Sequence, residues 1–292
     1  MSRLHVIVTT HTTRHLSHCL RALTRQSSPP ASVVLSCDVV DSEVDAVVDS
    51  LATDFAAAGI TLRHVARQHA GVPRVSQVRN NALRALSHAP DDDAVLVIDG
   101  DMALLPDCLA VHRRLFTSGK ADICLGHRIE LDEAATVRLQ QGNDAQLETF
   151  ITAEHARYLG SRARRLRRQL FLRQFGLTKP NKPKLLGAHH AATLAAFRAV
   201  NGYDERYENY GFEDDDLARR LYALRPTLSV RIAVDTALAV HLWHPSRAPA
   251  SPDEAPGAKL YYKGIAGPRA QHGIDNPREQ ADPIVREVVS AE

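Results

Sequence analysis

Residues Ala94-Val95-Leu96-Val97-Ile98 are five consecutive apolar residues that run directly into Asp99-Gly100-Asp101. A run this short, with no polar residue inside it, predicts a strand buried on both faces, as in a parallel sheet covered by helices. In open α/β sheets, ligands bind beyond the carboxyl ends of the strands. The same eight residues therefore predict a fold class and a place for chemistry.

The preceding sequence repeats the alternation. Leu4 to Thr10 predicts a first strand, and Leu16, Cys19, Leu20 and Leu23 lie at helical spacing within Thr12 to Gln26. Ser27-Ser28-Pro29-Pro30 ends that helix. Ser32 to Ser36 reads as a second strand, Glu43 to Ala58 as a helix stopped by Gly59, Thr61 to Val65 as a strand, and Ser76 to Ser87 as a helix. This order predicts an α/β fold with a mostly parallel sheet and helices on both faces. Further on come a helix to about Ser118, a strand over Asp122–Gly126, and a segment from Asp132 to Pro183 that is helical and then loose. Leu186 to Leu194 and Val230 to Val240 read as strands, and Ala195–Val200 and Asp214–Leu224 as helices. The expected organisation is one domain over 1–247, with one half to about 105 and a second half carrying a basic insertion near 132–184. Residues 248–292, rich in Pro, Gly and polar groups, are expected to be a partly ordered tail.

The formal net charge of +2 gives no reason to expect a nucleic-acid partner, but the charge is unevenly spread. From Arg157 to Lys184 there are ten Lys or Arg and no Asp or Glu. Such a block is either a solvated helical face or a contact for phosphate or an anionic membrane surface. Cys19, Cys37, Cys108 and Cys124 form no CxxC pair, so reduced thiols and a cytoplasmic location are expected. The apolar run at Leu4–Val8 is too short for a signal-peptide core, and no stretch is long enough to span a bilayer.

Three clusters carry candidate chemistry. In Asp99-Gly100-Asp101, alternate side chains of an extended segment face the same way, and Gly100 lets a ligand approach the backbone. Hard divalent cations take such oxygen ligands and complete their shell with substrate phosphates; the bland reading is a polar turn. Thr9-Thr10 and Asp38 follow the first two strands and fall at the same sheet edge. The second cluster, Glu213-Asp214-Asp215-Asp216, opens a helix. Acids favour a helix N-terminus, yet four in a row exceed what capping needs. Their repulsion raises at least one pKa and suits a general base. The third is His241-Leu242-Trp243-His244, where an imidazole can complete a metal shell begun by Asp101. His189-His190 is read as structural or acceptor-side.

Taken in order, these clusters resemble the GT-A glycosyltransferases of the family 2 type, with a C-terminal segment similar to galactosyltransferases. The resemblance rests on Asn201-Gly202-Tyr203-Asp204-Glu205, then Tyr210-Gly211-Phe212-Glu213-Asp214-Asp215-Asp216-Leu217 with Arg220-Leu221, and on Arg79-Asn80-Asn81-Ala82 ahead of the acidic triplet. It implies metal-dependent, inverting transfer of a sugar from a nucleotide-sugar donor of UDP type to a glycan, lipid-linked or other hydroxyl acceptor, with residues to about 105 as the nucleotide-binding half and 106–247 as the acceptor half. It implies that Thr9 and Asp38 contact the nucleoside, Arg79 holds the donor, and Asp99 touches ribose or sugar. Asp101 would ligate Mn2+ or Mg2+ with His244, and His241 is the second choice. Asp214 would be the base, and Glu213 would hold hydroxyls. Where galactosyltransferases carry Gly-Trp-Gly-Gly-Glu, this chain has Asn209-Tyr210-Gly211-Phe212-Glu213, which reshapes the sugar pocket. The alternatives are a sugar-phosphate nucleotidyltransferase, for which Thr9-Thr10-His11-Thr12-Thr13-Arg14 lacks the glycine-rich loop, and a non-catalytic nucleotide-sugar-binding protein.

Overall fold

The computed structural model describes residues 2–142, 146–209, 211–224, 228–245, 254–279 and 282–291. Tyr210 of the acidic motif lies outside them. In chain order the elements are β1 (Leu4–Thr10), α1 (Leu16–Thr24), β2 (Ser32–Cys37), α2 (Ser42–Ser50), α3 (Ala52–Ala57), β3 (Thr61–Ala66), α4 (Val75–Ala85), β4 (Ala94–Asp99) and β5 (Met102–Leu104). There follow α5 (Cys108–Thr117), β6 (Ile123–Leu125), β7 (Ile129–Glu130), α6 (Glu133–Gln141), α7 (Ala153–Arg173), β8 (His189–Thr193), α8 (Leu194–Ala199), α9 (Glu213–Ala223), β9 (Val230–Ile232), β10 (Ala239–His241), α10 (Ala258–Tyr262) and β11 (Ile284–Val289).

Strands β3, β2, β1 and β4 pair in parallel in that spatial order. The side chains of β1, β2 and β4 are almost all buried on both faces, which is why these strands are largely apolar without alternation. One face packs Leu16, Leu20, Leu23, Val48, Phe55 and Leu109 from the helices α1, α2, α3 and α5. The other packs Ala82, Leu83, Phe197, Leu217 and Leu221 from α4, α8 and α9. The sheet continues through antiparallel β8 to β6 and β9, which are parallel to each other.

The register decides where the chemistry falls. Thr9 lies opposite Asp99, Thr10 opposite Cys37, and Cys37 opposite Ala66. Asp38, Arg67 and Gly100 therefore leave the sheet side by side at its carboxyl edge. Beyond that edge a second, three-stranded sheet has the order β5-β10-β7. It sets His241 opposite Met102 on one side and Glu130 on the other.

Three expectations are corrected. The helix expected over Glu43–Ala58 breaks at Leu51, whose buried side chain turns the chain between α2 and α3. The strand expected over Val230–Val240 is two short strands in two different sheets. The largest difference is at residues 248–292, whose described part is not a tail. Strand β11 pairs antiparallel with β3 and covers that sheet edge. Residues 270–278 are held by the Asn201–Glu205 turn: Ala270 N–H donates to Val200 O at 2.8 Å, Ile274 N–H to Asn201 O at 3.1 Å, and Arg278 N–H to a Glu205 carboxylate oxygen at 2.8 Å. These anchors are mostly backbone and polar groups, which leave no hydrophobic period in the sequence.

Asn201 sits at φ 61°, where asparagine is tolerated and alanine is strained, and its amide donates to Ala270 O and Asn276 Oδ1. Asn201→Ala should lower stability by about 1–3 kcal/mol and speed proteolysis within 270–278. Unchanged thermal denaturation and cleavage would show that this anchor does not hold the segment.

Candidate active site and metal centre

At the sheet edge, Thr9 Oγ1 donates to Asp99 Oδ1 at 2.9 Å. Gly100 N–H donates to Thr9 O at 2.8 Å, and a Cβ on Gly100 would lie 2.8 Å from Thr10 Cβ. Glycine is required there for the turn to pass over β1. Thr10 closes its own loop, with its hydroxyl donating to Thr12 O and accepting from Thr12 N–H. Asp38 is buried and already engaged: Arg67 holds Oδ1, Arg74 N–H donates to Oδ2 at 3.0 Å, and His69 lies 3.4 Å from Oδ2.

Arg79, on α4, reaches under this edge with a side chain only 3% exposed. Its guanidinium contacts Asp214 Oδ1 at 2.9 Å, Asp99 Oδ1 at 3.4 Å and Glu213 Oε1 at 3.8 Å, and donates to Gly187 O at 3.4 Å. Burial opposes its charge, but Asp214, Asp99 and Glu213 outweigh that cost and keep it protonated. The adjacent Asn80 bonds Tyr203 N–H, Tyr203 O and Glu205 Oε1, tying α4 to the 201–205 turn. Gly187 has no room for a Cβ, which would stand 2.0 Å from Asp214 Oδ2.

The four consecutive acids divide among different partners. Glu213 and Asp214 face Arg79. Asp215 accepts from Asn181 at 3.0 Å and pairs with Lys184 at 2.8 Å. Asp216 is buried against Arg219, Arg220 and the Tyr207 hydroxyl. Only the first two of the run belong to the site; the last two fasten α9 to its surroundings. Burial, then the charge of Asp214, push the Glu213 carboxyl up to about 7 against the opposing pull of Arg79.

The candidate metal-binding set forms where β5 and β10 meet. Ligand atoms of Asp101, His241 and His244 all lie within 4.8 Å of one another. His244 Nε2 is 3.1 Å from Asp101 Oδ2, and His241 Nε2 is 3.3 Å from Asp101 Oδ1. That second contact is outside hydrogen-bonding geometry, so Oδ1 is buried without a hydrogen-bond partner among the described residues. His241 Nδ1 meets Glu130 Oε2 at 2.6 Å, which fixes the ring with Nε2 toward Asp101. One carboxylate and two imidazoles, with an orphaned carboxylate oxygen, fit a Mn2+-type ion that keeps open positions for phosphate. Glu130 escaped sequence reasoning because a lone acid ending a two-residue strand carries no motif, and Gly187 because its partner is 27 residues away.

A second cluster, Cys108, His112 and His189, is fully buried in the core. His189 Nδ1–H donates to His127 O at 2.7 Å, so its Nε2 accepts from His112 Nε2–H at 3.1 Å. Burial pushes the His189 pKa down to about 4 and that of His112 well below its ordinary value, so both are neutral. This is a hydrogen-bonded pair, consistent with a structural role. His190, likewise buried, donates to Leu186 O and accepts from the Tyr203 hydroxyl. The four cysteines are free and buried, and burial raises their pKa values, that of Cys124 to about 12.

A mostly parallel sheet with strand-end carboxylates, a carboxylate–imidazole cluster and an arginine-held acid at its carboxyl edge defines the GT-A class of fold. Residues 3–176, more than half the chain, match the family described as glycosyltransferase like family 2, and residues 167–244 match the N-terminal domain of galactosyltransferase. The chain belongs to the glycosyltransferase family 2-like proteins. Among solved structures, S. aureus TarS 1–349 in complex with UDP-GlcNAc is 14% identical, with 86% of this chain and 63% of that chain covered and a TM-score of 0.54. Mannosyltransferase PcManGT from Pyrobaculum calidifontis, in complex with GDP-Man and Mn2+, is 16% identical, with 84% and 58% covered and a TM-score of 0.53. The chain covers 37% of a longer S. aureus TarS structure, so it spans less than two thirds of each of these proteins. No curated protein matches the sequence.

The Glu213 pKa gives a stability prediction. Because the folded value is raised, the native state keeps a proton that the unfolded chain gives up from the ordinary carboxylate range upward. This contribution to stability is full at low pH and is lost as pH rises through about 7. Glu213→Gln should therefore gain on the parent by about 2 kcal/mol between pH 5 and 8, read from denaturation at each pH. A pH-independent difference would remove the basis for the raised pKa.

Proposed function

We propose that this chain transfers a sugar from a nucleoside-diphosphate donor, of UDP type, to an acceptor hydroxyl with inversion. The observation that carries the reading is the convergence on one buried guanidinium of Asp99 from the donor-side strand and Asp214 from the acceptor-side helix. Donor-handling and proton-handling carboxylates thereby share one site.

In this reading Thr9, Thr10, Gly100 and Asp99 line the nucleoside and sugar, with Asp38 as the floor that Arg67 and Arg74 hold in place. Asp101, His241 and His244 are the residues that would hold Mn2+ or Mg2+. When bound, the ion supplies Lewis-acid stabilisation of the departing diphosphate. Arg79 donates to Asp214 Oδ1, leaving Oδ2 to take the proton from the acceptor hydroxyl as it attacks. Glu213, still carrying its proton near neutrality, hydrogen-bonds sugar hydroxyls as donor or acceptor. The two carboxyls are neighbours in sequence yet take different roles because burial and Arg79 act on them unequally. Binding of UDP-GlcNAc by TarS and of GDP-Man with Mn2+ by PcManGT supports a metal-assisted nucleotide-sugar donor for this chain.

The acceptor we assign is a glycan or lipid-linked hydroxyl in cell-surface polysaccharide or glycoconjugate synthesis. We place the enzyme in the cytoplasm at the inner face of the membrane, reached through the basic segment Arg157–Lys184. Free buried thiols suit a reducing compartment, and no helix of the described residues is long and apolar enough to cross a bilayer.

Two variants separate the roles. Asp214→Asn should bind UDP with Mn2+ as the parent does, while transfer falls by about a thousandfold or more; comparable turnover would refute the base assignment. Asp101→Ala should lose metal-dependent UDP binding by titration calorimetry, and an unchanged isotherm would argue against the metal role. A panel of UDP- and GDP-sugars, scored for metal-dependent hydrolysis, identifies the donor.

A further inference from the structure

Helix α7 has two opposed faces. Leu159, Ala163 and Leu166 are buried against the domain. On the other side, Arg157, Arg164, Arg168 and Phe171 follow one another at intervals of seven, four and three residues. At about 100° per residue they form a single stripe about 60° wide, directly opposite the buried face. Phe175 continues the stripe in the turn that ends the helix, and Leu177 follows it. Phe171, Phe175 and Leu177 are 57%, 62% and 69% exposed, and the two rings meet edge to face with centroids 5.2 Å apart. Beside the stripe, Arg167 pairs with Asp235 and Lys184 with Asp215. Arg157, Arg164 and Arg168 are exposed and form no ion pair among the described residues.

Arginines alone would make a solvated face. Three large apolar side chains held in water at one end of the stripe have no such explanation. Apolar groups that insert at the acyl boundary, beside guanidiniums that meet lipid phosphates, are the chemistry of a helix lying on an anionic bilayer. We propose that the face from Arg157 to Leu177 docks on an anionic phospholipid membrane, with Phe171, Phe175 and Leu177 entering the interface. The proposal rests on the reading of the chain as a transferase with a membrane-presented acceptor. Only ten residues lead from Leu177 to Gly187, which abuts Asp214, and on the way Asn181 and Lys184 engage Asp215. Docking on this face ties the bilayer contact to the acceptor side of the site through a short connection.

The test is co-sedimentation of the full chain with phosphatidylcholine vesicles and with vesicles that also contain phosphatidylglycerol, at low and high salt. The parent should be retained on the anionic vesicles alone, less so at high salt. Arg157→Gln/Arg164→Gln/Arg168→Gln should weaken retention about a hundredfold. Phe171→Ser/Phe175→Ser/Leu177→Ser should also weaken it and keep the salt dependence. Metal-dependent donor hydrolysis without vesicles should be the same in the parent and both variants, which shows that they fold. A parent that sediments with anionic vesicles but hydrolyses no donor would count against the transferase reading and not against docking. Equal retention of all three proteins would overturn the proposal. So would a parent that ignores vesicles and instead forms a dimer that the Phe171 and Phe175 substitutions dissolve.

Discussion

The Arg79 guanidinium is almost sealed from water, and three elements distant in sequence turn toward it: the end of β4, the start of α9 and the backbone at Gly187. A buried cation is stable only when its desolvation is repaid by close opposite charge. Here Asp99 and Asp214 supply that charge at close range, and Arg79 in turn allows them to lie together with the Glu213 carboxyl, which burial holds toward its protonated form. The site is therefore an electrostatic unit in which removing one member leaves the others uncompensated. Asn80, one residue on, does the same work with neutral hydrogen bonds, fixing α4 to the 201–205 turn.

This arrangement explains why an acidic run opens α9. The helix N-terminus favours negative charge, yet each acid is fixed by its own partner. Asp215 and Asp216 spend their charge on Lys184, Arg219 and Arg220, which orients the helix. Glu213 and Asp214 face Arg79 instead. The cluster of Asp101, His241 and His244 has a different origin. It depends on the antiparallel pairing of β5 with β10, which carries His241 back beside Asp101 after some 140 residues of intervening chain.

Much of this was legible in the sequence. The apolar strands β1, β2 and β4 announce a parallel sheet because burial on both faces removes polar residues, and their carboxyl ends locate Thr9, Asp38 and Asp99. Asp101, Arg79 and the acidic helix start were visible as motifs. What the sequence does not display is whatever depends on polar contacts at long range. Residues 270–278 read as a tail because hydrogen bonds to Asn201 and Glu205 hold them with few apolar side chains. Glu130 and Gly187 carry no local pattern, since one acts through His241 and the other by having no Cβ. Nor does the sequence display that Arg67 and the Arg74 N–H hold the two Asp38 oxygens. In α7 the charge block was plain as either a solvated face or a contact for anions, while the helical phase that aligns three arginines with Phe171 and Phe175 was not read from the sequence.

The measurement that bears most directly on this account is the denaturation of Arg79→Met beside Arg79→Met/Asp214→Asn. If the buried guanidinium organises the site, Arg79→Met should lose about 3–5 kcal/mol, and neutralising Asp214 should restore part of that loss, because it removes one of the carboxylates left uncompensated. An Arg79→Met protein as stable as the parent, with no recovery in the double variant, would contradict the account.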